Sequence, residues 1–334
     1  MTRTQRLELA LLSIIFMMAC TVGIAPPAAP TVPPTLTSAP TLTRTPAASA
    51  TPYPTPTRRA TITIEPSNTP PPALTSQAAT VTAIVHNRNG EQVRFITEDG
   101  QELVGYFYPA ALPNSPTVVM MHQFHSDQKY AWNESTLIPW LQNYPVGGAV
   151  VISPTPSAGG QLPPLPPDVS FNVLTFDFRG HGESGGTSVA ELTNEAKNWY
   201  LMDARAAYAL ARMLPGADPN RIIGFGTSIG ADATVDTCEE GCIAVFAISP
   251  NSWLGQDWAS NAARVANAGK PVRCMYAAND GDTAVTCTSV ANQANYEYIG
   301  YTGKKHGQDF LVPRKMENGF GSKLLAFLME AIRQ

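Results

Sequence analysis

The sequence predicts an α/β fold: a mostly parallel central sheet covered by helices on both faces, carried behind an export head and a stalk. Three observations predict it. From residue 81 onward, short apolar β-branched runs alternate with segments of helical spacing, the order that builds a covered parallel sheet. The chain is 44% hydrophobic and only 14% charged, an ordinary globular balance once its ends are set apart. Residues 81–334 hold almost all the aromatics, and that length buries a core as one large domain. A net charge of −4 gives no electrostatic footprint for nucleic acid.

At the start, Arg3 and Arg6 precede an apolar run from Leu9 to Ala19. A basic start, a short apolar stretch and a small residue describe a secretory signal over 1–19. As a helix the run is too short for the ~30 Å hydrocarbon core. Met17-Met18-Ala19-Cys20 resembles a bacterial lipoprotein box, which makes Cys20 the lipidated first residue, although Met17 stands where that pattern usually has Leu. An uncleaved anchor and simple secretion are the alternatives. Residues 20–80 then form the stalk. Of the 30 prolines, 14 fall between 21 and 80, with 15 threonines and one aromatic, Tyr53. Such a segment lacks the apolar mass to offset its conformational entropy and favours extended chain. The expected location is the outer surface of a cell membrane.

In the domain, Val93–Thr97 and Leu103–Tyr108 read as strands around Glu98-Asp99-Gly100, an antiparallel edge. Thr117–Met121 is a short buried strand. Tyr130–Leu141 reads as a helix, and Phe171–Phe178 as a strand. Asn194–Leu214 has helical spacing, with Trp199, Met202, Ala206, Leu210 and Met213 as its stripe. Arg221–Gly226 is a strand and Ile229–Val235 a helix. Ile243–Ile248, Val272–Ala278 and Tyr296–Tyr301 are further strands, and Gly321–Ile332 is a terminal amphipathic helix. Residues 145–170, with seven prolines, form an insertion: a rim over a cleft, or inert.

Gly226-Thr227-Ser228-Ile229-Gly230 carries the strongest chemical signal. A serine hydroxyl is a weak nucleophile until a base takes its proton. A sharp strand-to-helix turn holds it out of the sheet, small neighbours permit that turn, and the helix start offers donors to developing negative charge. A glycine-rich turn with a buried serine is the plainer reading. Gly224 and Gly226 do not complete a dinucleotide-binding pattern, because Ile229 stands where its third glycine belongs.

From about residue 92 the chain resembles the α/β-hydrolases, near their dienelactone hydrolase and serine-peptidase-like esterase branches. Thr117–His122 resembles the third strand and oxyanion loop, and Asp177-Phe178-Arg179-Gly180-His181-Gly182-Glu183-Ser184 the segment after the fourth strand. Serine, acid and histidine follow in the family's chain order. The resemblance implies a triad of Ser228, His306 and an acid after Val272–Ala278. Asp280 and Asp282 both qualify by position, and the family's usual spacing favours Asp280. It implies oxyanion donors at the N–H of Ile229 and of Phe124 or Gln123. Gln123 stands where the family commonly has glycine, with a side-chain amide within reach of the site. His122 and His181 fall in motifs that serve structure; His86 and His125 are weaker candidates. His122, His125 and Asp127 are conceivable metal ligands, but their place after a buried strand favours the oxyanion role.

With Cys20 assigned to lipid, Cys238, Cys242, Cys274 and Cys287 admit three pairings in an exported chain. The short loop 238–242, and the placing of 274 and 287 around the acid-bearing turn, favour Cys238–Cys242 with Cys274–Cys287; buried free thiols are the alternative. The expected activity is serine hydrolysis of an ester-type acyl bond, with no metal or cofactor and with a small-molecule or peptide acyl substrate. A peptidase or acyltransferase on the same fold, and a non-catalytic surface binding module, are the rivals.

Overall fold

The computed structural model describes residues 90–133, 135–146, 149–150 and 162–334. The expected signal, Cys20, the stalk and His86 lie outside the described residues. Eight strands form one sheet: β1 (Glu91–Ile96), β2 (Glu102–Tyr108), β3 (Ser115–Met121), β4 (Asn172–Phe176), β5 (Ala217–Thr227), β6 (Cys242–Ile248), β7 (Val272–Ala277) and β8 (Tyr296–Tyr301). Their order is β1-β2-β4-β3-β5-β6-β7-β8. The β1–β2 and β2–β4 pairs are antiparallel, and every other pair is parallel. A separate two-residue ladder joins Pro145–Val146 to Ala149–Val150.

Both faces of the sheet are buried, and the period of two along β3 shows why that strand is apolar throughout. Val119 and Met121 enter one core; Val118 and Met120 enter the other. The first core packs under α3 (Asn194–Ala211), α4 (Ile229–Asp236) and α5 (Trp258–Asn267). The second lies under α1 (Gln128–Asn133), α2 (Leu137–Gln142) and α7 (Phe320–Ala331). A short helix α6 (Thr283–Thr288) follows β7.

Three departures from the sequence reading have local causes. The helix expected over 130–141 is two six-residue helices, and the second begins after Thr136 in the left-handed region at φ 58°. In α3 the buried face is turned away from the predicted stripe. Met213, just past its end, is 74% exposed, while Ala196, Tyr200, Asp203, Ala204, Ala207, Tyr208 and Ala211 face the core. The alanines let the helix approach the sheet closely, and Asp203 is admitted because Arg179 pairs with it at 2.7 Å. Helix α5 was not anticipated, although Asp257 caps it, accepting from the Ser260 N–H, and Trp258, Ala262, Val265 and Ala266 are spaced to bury one face. Of the insertion expected over 145–170, residues 147–148 and 151–161 lie outside the described residues, and residues 162–170 pack beside α2. Trp140 Nε1 donates to Pro163 O, and Asn143 Nδ2 to Pro166 O and Val169 O. These contacts hold the segment beside α2, where it leads into the amino end of β4, the end of the sheet opposite the elbow.

Cys238 and Cys242 are bonded, with Cα atoms 5.3 Å apart, and tie the end of α4 to β6. Cys274 and Cys287 are bonded at a Cα separation of 5.5 Å and tie β7 to α6. The second bridge closes the loop that contains Asp280. Among the described residues no helix is long and apolar enough to cross a membrane.

Candidate active site

Carboxyl ends of central parallel strands are where open α/β sheets place their ligands. Here β5 delivers Ser228 to that end, between β3 and β6. Ser228 has φ 53° and ψ −117°, a conformation that side chains rarely adopt and that persists only where the surroundings impose it. Its N–H donates to Ile248 O at 2.8 Å, and its own carbonyl accepts from the N–H groups of Ala231 and Asp232 at 2.9 and 3.2 Å. The turn is therefore fixed from both sides.

The two flanking glycines are there for space. A Cβ on Gly226 would stand 2.7 Å from Ala231 N, inside the first turn of α4. A Cβ on Gly230 would stand 2.6 Å from the Met121 carbonyl carbon and 2.7 Å from His122 O. The elbow helix thus packs backbone to backbone against the end of β3. Ser228 is 6% exposed, and its hydroxyl has no hydrogen bond among the described residues.

His306 stands just before a 3₁₀ turn, Gly307–Phe310. Its Nδ1 lies 2.9 and 3.0 Å from the two carboxylate oxygens of Asp280. A carboxylate only accepts, so the bond to Asp280 puts a proton on Nδ1, which in the neutral ring leaves the lone pair on Nε2. Asp280 is held by its turn: its N–H donates to Ala277 O at 3.1 Å, and Thr283 Oγ1 donates to its carbonyl at 2.8 Å. Asp282 is exposed, caps nothing with its side chain and makes no contact with His306. Of the two candidate acids, the fold brings Asp280 to the histidine.

Two contacts bring the histidine loop to the elbow. The Gly307 N–H donates to Ser249 Oγ at 3.0 Å, and Ser249 directly follows Ile248, the acceptor of the Ser228 N–H. A Cβ on Gly307 would lie 3.4 Å from Thr227 Cβ. Residues adjacent to His306 and to Ser228 therefore lie close enough that a side chain on Gly307 would touch Thr227.

On the β3 side, His122 is structural. Its Nδ1 donates to Gln123 O at 2.8 Å and its Nε2 accepts from the Phe178 N–H at 3.1 Å. Complete burial pushes its pKa down to about 3, so the ring is neutral. With both nitrogens engaged it has no lone pair for a metal. Among the described residues no group of three His, Cys, Asp or Glu side chains converges as metal ligands would. His181 is likewise lowered by burial and bonds Arg179 O. The missing glycine is accommodated two residues later: Gln123 keeps an ordinary φ, and the left-handed residue of this loop is His125, at φ 57°. The Gln123 side chain does not hang free into the site. Its Oε1 accepts from the Gln308 N–H at 3.0 Å. Phe124 packs edge-on to His181 and Tyr200, which fixes the loop bearing the second candidate donor. Ile229 opens α4, where N–H groups have no partner within the helix.

Three residues near the site were missed from sequence. Ser249 is fully buried. Asp232, buried in α4, accepts from the N–H groups of Asn251 at 3.1 Å and Leu254 at 3.3 Å. Desolvation raises its pKa, and these bonds oppose the rise. The loop it holds sets Trp253 edge-on to His306, with ring centroids 6.3 Å apart. A lone acid amid small and apolar residues in Ile229–Val235 was the available signal for Asp232.

With this strand order and elbow the fold is that of the α/β hydrolases. The structure is similar to the α/β hydrolase GrgF from Penicillium sp. sh18, at a TM-score of 0.50 and 14% identity, covering 73% of this chain and 97% of that one. It is also similar to the esterase Pf2001 from Pyrococcus furiosus (TM-score 0.48, 19% identity, 74% of this chain and 93% of that one). No family model matches the sequence. In sequence the chain is similar to the uncharacterized protein YfhR of Escherichia coli K12, 26% identical over 157 residues, 46% of this chain and 43% of YfhR. The Salmonella typhi YfhR is 27% identical over 146 residues, 42% of this chain and 38% of that protein. The chain thus spans less than half the length of the curated relatives it matches.

Proposed function

We propose that this protein is a serine hydrolase that cleaves an ester-type acyl bond. The observation that carries the proposal is the His306–Asp280 pair in a loop bonded to Ser249, beside the elbow that holds Ser228 in a strained strand-to-helix turn. In this reading Nε2 of His306 takes the Ser228 proton as Oγ attacks the acyl carbon. Asp280 keeps the proton on Nδ1 and stabilises the imidazolium that forms. The N–H of Ile229, with that of Phe124 or Gln123, receives the charge developing on the carbonyl oxygen. The imidazolium then protonates the leaving alcohol, and a water activated by the same histidine releases the acyl group from Ser228. Neither a metal nor a cofactor is needed for these steps. A fluorophosphonate probe tests the reading, because it traps only an activated serine. Labelling of Ser228 in the parent chain, and its loss in Ser228→Ala, is the expected result; a parent chain that stays unlabelled refutes it.

The same reading includes export and a lipid on Cys20, supported by the basic start, the short apolar run and the small residue before the cysteine. Mass spectrometry of the mature amino terminus distinguishes a diacylglyceryl Cys20 from an intact 1–20 segment. The stalk would then hold the domain off the membrane.

A further inference from the structure

We infer that Gln123 and Ser249 are positioning residues which together hold the histidine loop across the elbow; the inference rests on the serine-hydrolase reading. The first two N–H groups after His306 point out of a 3₁₀ turn and need acceptors from elsewhere. Both acceptors are side chains. Gly307 N–H donates to Ser249 Oγ, and Gln308 N–H donates to Gln123 Oε1, each at 3.0 Å. Ser249 follows β6 and Gln123 follows β3, the two strands that flank β5. The histidine loop is therefore tied to both neighbours of the strand that carries Ser228.

The fit leaves little slack. Gly307 has φ 51°, and a Cβ there would overlap Gln123 Oε1. A third tether runs from Ser126 Oγ to Gln308 Oε1 at 3.0 Å. Asp280 fixes the rotation of the imidazole through Nδ1, but only the backbone bonds fix where the ring begins. Gln123 also belongs to the loop with the second candidate oxyanion donor. One side chain thus makes the base and the oxyanion pocket move together. This gives the departure from glycine at position 123 a purpose that no glycine could serve.

Gln123→Leu removes the acceptor at similar volume, Gln123→Asn keeps the amide but shortens its reach by one methylene, and Ser249→Ala removes the hydroxyl. Amide hydrogen exchange reads the bonds directly: it quickens at Gln308 in both Gln123 variants and at Gly307 in Ser249→Ala. Labelling of Ser228 by a fluorophosphonate slows about 10- to 100-fold in each, the cost of roughly 1 Å of misplacement. In a His306→Ala background Ser249→Ala does not slow the residual labelling further, because a residue acting only through the base has nothing left to position, whereas the Gln123 variants keep the part of their slowing that comes from the oxyanion loop. Faster exchange with an unchanged labelling rate overturns the inference. So does an equal slowing by Ser249→Ala in the His306→Ala background, which marks general damage to the fold. Labelling that survives Ser228→Ala sinks the hydrolase reading itself, so the two failures are distinguishable.

Discussion

Gly230→Ala adds one methyl where the elbow helix meets the end of β3. Its Cβ would stand 2.6 Å from the Met121 carbonyl carbon and 2.7 Å from His122 O. Carbon–oxygen contacts are ordinarily near 3.3–3.6 Å, so the two elements must part by about 0.7 Å or more. Both colliding groups are backbone, one at the carboxyl end of a central strand, and no rotamer change relieves the clash. Overpacking of this kind costs about 1–3 kcal/mol. In a domain of this size each kcal/mol lowers the melting temperature by about 2–4 °C, so a fall of roughly 2–12 °C is expected. The displaced end of β3 leads straight into His122–Phe124, where a candidate oxyanion donor sits. Losing such a donor costs about 100- to 1000-fold in rate, and a partial displacement less. The assay is the second-order rate of fluorophosphonate labelling beside a thermal melt monitored by circular dichroism. Gly185→Ala is the control, since its Cβ would come no nearer than 2.9 Å to any atom, and that atom is the movable end of the Gln101 side chain. If Gly230→Ala labelled within a factor of about three of the parent and melted at the parent temperature, the packing argument for the elbow glycines would be wrong.

Asp280→Asn should slow turnover by up to about 10⁴-fold, because an amide favours the wrong imidazole tautomer, while Asp282→Asn should be near neutral. Ester hydrolysis by the two variants decides the acid, and the reverse order would remove Asp280 from the role. Replacing Cys274 and Cys287 by serine opens a bridge across a sequence separation of 13 and should cost about 3 kcal/mol. Activity should fall with stability, since the loop presents Asp280; an unchanged denaturant midpoint would show that the bridge contributes nothing. His122 should not titrate by proton NMR between pH 8 and about pH 4.5, since burial holds its pKa near 3. Its stabilising contribution is complete above pH 6.5 and erodes as pH falls toward 3, by about 2 kcal/mol at pH 5, because only the unfolded chain binds the proton in that window. A His122 ring that titrated near pH 6 would contradict its burial and its two bonds.

The chemistry was legible in the sequence wherever a local constraint dictates a residue. Gly226 and Gly230 are readable because a strand that turns straight into a helix has no room for a side chain at those points. The strands were readable because a sheet buried on both faces needs continuous apolar runs, as in Thr117–Met121. The cysteine pairing was favoured, among three open to it, by the short glycine-bearing loop between Cys238 and Cys242 and by Cys274 and Cys287 flanking one turn. Tertiary structure alone decided the rest. Asp280 and Asp282 both qualify by position and the resemblance favours Asp280; the direction in which the turn after β7 faces His306 is what brings Asp280 to the ring. The core face of α3 followed Asp203 and the alanines, since a buried ion pair with Arg179 and close approach to the sheet outweighed the larger side chains. Gln123 and Ser249 are far in the chain from Gln308 and Gly307, whose N–H groups they accept, and nothing local marks them as partners. Their hydrogen bonds exist because strand order sets β3 and β6 on either side of β5, a property of the folded sheet.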